Sequence, residues 1–151
     1  MSDDQIGIPP VNMIKNELAE FESRVPAWGL TVFTIDGYII AHSSSSQKIP
    51  EGIEYAVSSL SAGLITISED FIRMVDSEKL FREVLVDSID LGGDFAFSIL
   101  LRTVADNVML ACIFPRTTPL GLITFEIDNL TDKIREIVGE WDVKLHSETL
   151  T

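Results

Sequence analysis

The sequence predicts an α+β domain with the element order αββαβββα, in which one five-stranded antiparallel sheet is sandwiched between helices. Three observations carry this. Apolar residues recur every three or four positions in three long segments, the spacing of one helix face. Five shorter runs rich in β-branched and aromatic residues lie among them. Several of those runs are joined by turns too short for anything but antiparallel pairing.

The elements follow in order. Residues 1–8 read as a loose tail. Pro9 and Pro10 then open a helix, where proline is tolerated in the first turn. Val11, Ile14, Leu18, Phe21 and Val25 form its apolar stripe, and Pro26 ends it. WGLTVFTI (Trp28 to Ile35) and YIIAHS flank Asp36-Gly37, the strongest short hairpin signal. SSSSQKIP, from Ser43 to Pro50, is a polar connector whose serines, Ser43 to Ser46, are conceivable phosphorylation sites.

A long helix follows, with Ile53, Val57, Leu60, Leu64, Ile67 and Phe71 within about 40° of one another on a helical wheel. The series continues to Val75. The expectation is that this arc packs on the sheet. LFREVLVDSI (Leu80 to Ile89), FAFSILLRTV and VMLACIF are three strands in a meander, separated by a Gly-Gly turn and by Ala105-Asp106-Asn107. In the last segment Leu120, Ile123, Ile127, Leu130, Ile134, Ile137 and Trp141 keep helical spacing, although GLITFEI alone has strand composition. The spacing predicts a helix over 119–140, with Thr118 as N-cap, Pro119 at its first position and a frayed tail over 142–151. Residues 9–141 thus form a single domain.

Composition narrows the function. With 11 Lys+Arg against 24 Asp+Glu the formal charge is −13, a field that repels phosphate backbones and anionic lipid. No apolar run approaches the roughly 18 residues of a membrane span, and MSDDQIGIPP lacks the order of a secretory leader. Nucleic-acid binding and direct membrane insertion are therefore not expected, and a cytoplasmic location is. The single cysteine, Cys112, lies in an apolar run and reads as a buried, inert thiol.

Reactive constellations are scarce. His42 and His146 are far apart, and no motif supplies His42 with an orienting carboxylate and an oxyanion hole. Asp87, Asp90 and Asp94 lack the ligand spacing of a calcium loop. Phosphate-cradling glycine motifs are absent from the sequence. Arg116 reads as a surface arginine at a loop before a helix. The expectation is a non-enzyme, with no catalytic residue, no metal and no cofactor.

The central helix suggests a binding role instead. Beside its apolar arc, one flank carries Ala56, Ser59 and Gly63, and an outward arc carries Tyr55, Ser58, Ala62 and Ile65. Such small residues let another backbone approach closely and lose little entropy when ordered. The third strand is long, free of proline and able to lie at a sheet edge, which a symmetry mate would protect. A two-fold dimer with a continuous ten-stranded sheet follows, with Ala56, Ser59, Gly63, Phe81, Glu83, Leu85 and Asp87 at its interface. The paired outward arcs would then form a platform for a third protein.

The order of elements, WGLTVFTIDGYIIAHS and DNVMLACIFPRTTPLGLI resemble the roadblock/dynein light chain domain family over about residues 10–140. Thr117, Pro119, Leu120 and Gly121 before the last helix are especially similar to its MglB-like branch. The resemblance implies a roadblock/profilin-like fold and a homodimer joined through the third strand and central helix. It also implies a non-catalytic regulator or scaffold for a Ras-like small GTPase, one that promotes GTP hydrolysis without lending an arginine. The surface it implies for the GTPase includes Tyr55, Ser58, Ala62 and Ile65. The alternative is a small-ligand sensor module of profilin-like or PAS-like architecture, which needs a cavity with convergent polar groups.

Overall fold

The computed structural model describes residues 10–44, 49–89 and 96–150, with side chains of the last helix described to residue 139. The order is α1 (Val11–Arg24), β1 (Gly29–Thr34), β2 (Ile39–Ser43), α2 (Ile53–Val75), β3 (Glu83–Asp87), β4 (Phe97–Ala105), β5 (Val108–Pro115) and α3 (Leu120–Leu150). This is the expected αββαβββα series. The strands form one antiparallel sheet in the order β2-β1-β5-β4-β3, so β2 and β3 are its edges.

Local chemistry sets the turns. Gly37 takes φ +93° in the β1–β2 hairpin, where Thr34 N–H donates to the Tyr38 carbonyl at 2.8 Å. Asn107 adopts φ +71° in the β4–β5 turn, a conformation asparagine tolerates better than most residues.

The sheet separates two cores. On one face Ile14, Leu18 and Phe21 of α1 and Ile123, Ile127, Leu130 and Ile134 of α3 pack on Leu30, Val32, Leu110 and Cys112. Helix α1 buries the stripe that its periodicity marks, and α3 does so from Ile123 to Ile137, while Leu120 is exposed. On the other face Ala62 and Ile65 of α2 pack with Phe33, Phe81, Leu101, Met109 and Ala111. Cys112 is fully buried, and burial, with the nearby charge of Glu22, pushes its thiol pKa far above the ordinary value.

Four expectations need correction. The third strand is shorter than Leu80 to Ile89, since pairing begins only at Glu83, opposite Arg102. Helix α3 runs past residue 140 to Leu150, because no proline or glycine after Gly139 interrupts it. It begins at Leu120, where the Pro119 carbonyl accepts from Leu122 and Ile123, and the Thr118 hydroxyl is buried without a partner rather than capping. The fourth correction concerns the orientation of α2 and is described below. The expected tail over residues 1–8, Ser45 and Ser46, and Asp90, Asp94 and the Gly-Gly turn lie outside the described residues.

Candidate interaction surface

Helix α2 is rotated about its axis by roughly 130° from the expected orientation, at about 100° per residue. Its buried residues are Ser58, Ser61, Ala62 and Ile65. The large apolar arc expected to face the sheet is instead uncovered: Leu60 is 75% exposed, Ile67 55%, Phe71 66% and Met74 82%. The cause is steric. Phe33 and Met109 of the sheet and Phe81 just before β3 fill the space under α2, so the helix approaches mainly through the small Ser58, Ser61 and Ala62, with Ile65 as the one large residue inserted. The Ser58 and Ser61 positions tolerate burial because the helix itself offers acceptors, as where Ser58 Oγ donates to the Tyr55 carbonyl at 3.1 Å.

This placement revises the predicted binding residues. Ser58, Ala62 and Ile65 are buried against the chain's own sheet, while Tyr55 stays exposed. Ala56, Ser59 and Gly63 are exposed, and open space surrounds Gly63 where a Cβ would stand. Phe81 is buried within its own subunit and joins the α2-side core.

Helix α2 lies over β1, β2 and β5, leaving the β3–β4 side of the same face uncovered. The result is an open groove of about 390 Å³ between helix and sheet. Ile53, Val57, Leu60 and Leu64 form one wall, and Val86 and Ile99 the other. Among the described lining residues Ser61 carries the one hydroxyl, and Trp28 adds an indole ring. The groove opens directly onto β3, whose outer edge has no partner strand among the described residues.

The β3 edge is anchored from the opposite face. Glu83, Leu85 and Asp87 alternate onto the α3 side of the sheet. Arg102 of β4, 4% exposed, donates through Nε to Glu83 at 2.9 Å and also bonds Asp128 of α3. Burial alone would lower the Arg102 pKa, but the hydrogen bonds to Asp128 and Glu83 outweigh it and the pKa is raised. Ser98 donates to Asp87 four rungs further along, at the other end of β3. These bonds fix the short strand in register and leave its outer backbone free for another strand.

The remaining sequence candidates sit elsewhere. Arg116 donates to the Ser88 carbonyl at 3.2 Å and ties the β5–α3 turn to the end of β3. His42 lies between Thr31, whose hydroxyl is 2.9 Å from Nδ1, and Glu54, whose carboxylate is 3.5 Å from Nε2. Thr31 itself is buried. No group of three or more His, Cys, Asp or Glu able to hold a metal ion occurs among the described residues. Nor is any described helix long and apolar enough to cross a membrane.

By sequence, no protein-family model and no curated protein matches the chain. The fold does match solved structures. Myxococcus xanthus MglB superposes with a TM-score of 0.73 at 19% identity, over 87% of this chain and 92% of that one. Gliding protein MglB from Thermus thermophilus gives 0.73 at 17% identity, with the same coverage. A Roadblock/LC7 domain from Streptomyces avermitilis gives 0.66 at 15% identity, over 80% of this chain and 92% of that one. The αββαβββα chain, with its β2-β1-β5-β4-β3 sheet, has the roadblock fold in the form solved for MglB.

Proposed function

We infer that the chain is a non-catalytic regulatory or scaffold subunit that pairs with a second copy of itself and binds a Ras-like small GTPase on the joined helices. One observation carries the pairing: the largest apolar face of α2 is uncovered and lies beside an open strand edge. Exposed apolar patches of this extent mark interaction sites. A two-fold axis along β3 would extend the sheet to ten strands and bring a second α2 against the first. Helix α2 has 23 residues and is about 35 Å long, enough, with the strand edge, for an interface near the usual 1,600 Å².

The seam in this arrangement consists of Leu60, Leu64, Phe71 and the groove wall, rather than Ala56, Ser59 and Gly63 alone. The surface turned away from the sheet then presents Tyr55, Ser59, Gly63, Thr66 and Asp70 from each copy. The GTPase part of the reading rests on the likeness to MglB and on this small, mixed surface. A polar-ligand sensor fits less well, because the groove offers one hydroxyl and no charge.

Light scattering at micromolar concentration tests the pairing, and a monomer refutes it. Pull-down against the small GTPases of the source cell, loaded with GDP or a GTP analogue, tests the partner. Retention of one GTPase in a nucleotide-dependent manner is the expected result. Retention of none by a proven dimer refutes the GTPase reading and leaves the dimer standing.

A further inference from the structure

The second sheet edge carries its own recess. Strand β2 is an edge strand, and no described strand pairs with its outer side. It forms the floor of a groove of about 540 Å³, within the range of peptide and ligand sites. Val11 and Lys15 of α1 stand on one side, and Glu54, Tyr55 and Ser59 of α2 on the other. These helices cover opposite faces of the sheet. A chain lying along β2 would therefore send alternate side chains to walls of different chemistry. One wall is apolar with a lysine stem. The opposite wall carries a carboxylate and the ring of Tyr55, 69% exposed.

We propose that the β2 edge takes up an extended peptide segment of another protein, with lysine or arginine at alternate positions facing Glu54 and Tyr55 and aliphatic residues between them facing Val11. Main-chain hydrogen bonds to an open edge supply affinity in such strand addition, and side-chain alternation supplies selectivity. Tyr55 adds a ring face for a cation, and Glu54 an opposite charge. The formal charge of −13 draws a basic segment toward the chain. A second copy of this domain does not fit as well, because the helices that flank its own β2 would meet those walls first. The recess lies at the far end of the sheet from β3, so its occupancy is independent of pairing through β3.

The probe is a labelled, end-blocked Lys-Val-Lys-Val-Lys-Val peptide, followed by fluorescence anisotropy against the full chain. The expected result is saturable binding that weakens as salt rises. It should fall at least tenfold for Lys-Lys-Lys-Val-Val-Val, which has the same charge without the alternation. Methylating alternate backbone nitrogens of the probe should abolish it. Glu54→Gln should weaken the probe about threefold to fivefold, the scale of one exposed ion pair. Absence of binding, equal binding of the scrambled or methylated peptide, or indifference to Glu54→Gln each overturn the proposal. Leu60→Glu, at the opposite side of α2, should leave peptide binding intact whether or not it splits the dimer.

Discussion

Replacing Leu60 with glutamate separates the two roles an apolar helix face can have. Leu60 is 75% exposed in the isolated subunit, so it adds little to that subunit's stability. Fully burying a leucine contributes about 1.5–3 kcal/mol, so covering the exposed three quarters is worth about 1–2 kcal/mol per copy. A two-fold seam counts each change twice, giving about 2–4 kcal/mol for the pair. A loss of about 3 kcal/mol raises the dissociation constant roughly 150-fold. Two carboxylates brought together in the seam add desolvation and repulsion to that. Sedimentation equilibrium or light scattering across a concentration series should show Leu60→Glu monomeric where the wild type is dimeric. Urea melts of the variant should retain a cooperative transition, since surface substitutions stay within about 0.5 kcal/mol. A variant that stays dimeric refutes the seam. One that loses its fold refutes the placement of Leu60 outside the core.

Three further outcomes follow from the burial of Ile65 and Cys112. Ile65 is fully buried, so Ile65→Ala should cost about 2–5 kcal/mol in a denaturant melt, whereas a surface isoleucine would change little. Cys112 should react with a thiol reagent only as fast as the domain opens, and denaturant should release it. Its folded pKa is raised above the ordinary 9.0, so its contribution to stability is complete below that pH and declines as pH rises above it. The pH slope of stability above about 9 should be shallower in Cys112→Ala than in the wild type.

Residues of the terminal helices announced their environment directly. Ile14, Leu18 and Phe21, and Ile123, Ile127 and Ile134, bury against the sheet and between the two helices, on the faces their periodicity marks. The Asp36-Gly37 hairpin was equally legible, because only a residue free to take positive φ closes it cheaply. The β3 edge could be anticipated from its place after a crossover helix. Its buttress could not, because Arg102, Glu83 and Asp128 are brought together by pairings distant in sequence.

From the chain of residues alone came the element order, the antiparallel sheet, the lone buried thiol and the presence of two distinct surfaces on α2. Tertiary structure alone decided which α2 surface met the sheet. Helical spacing records that Leu60, Ile67 and Phe71 share a face, not what that face touches. Beside Phe33, Met109 and Phe81 the closest face of α2 is Ser58, Ser61 and Ala62 with the single large side chain Ile65, so most of the helix's bulky residues stayed out.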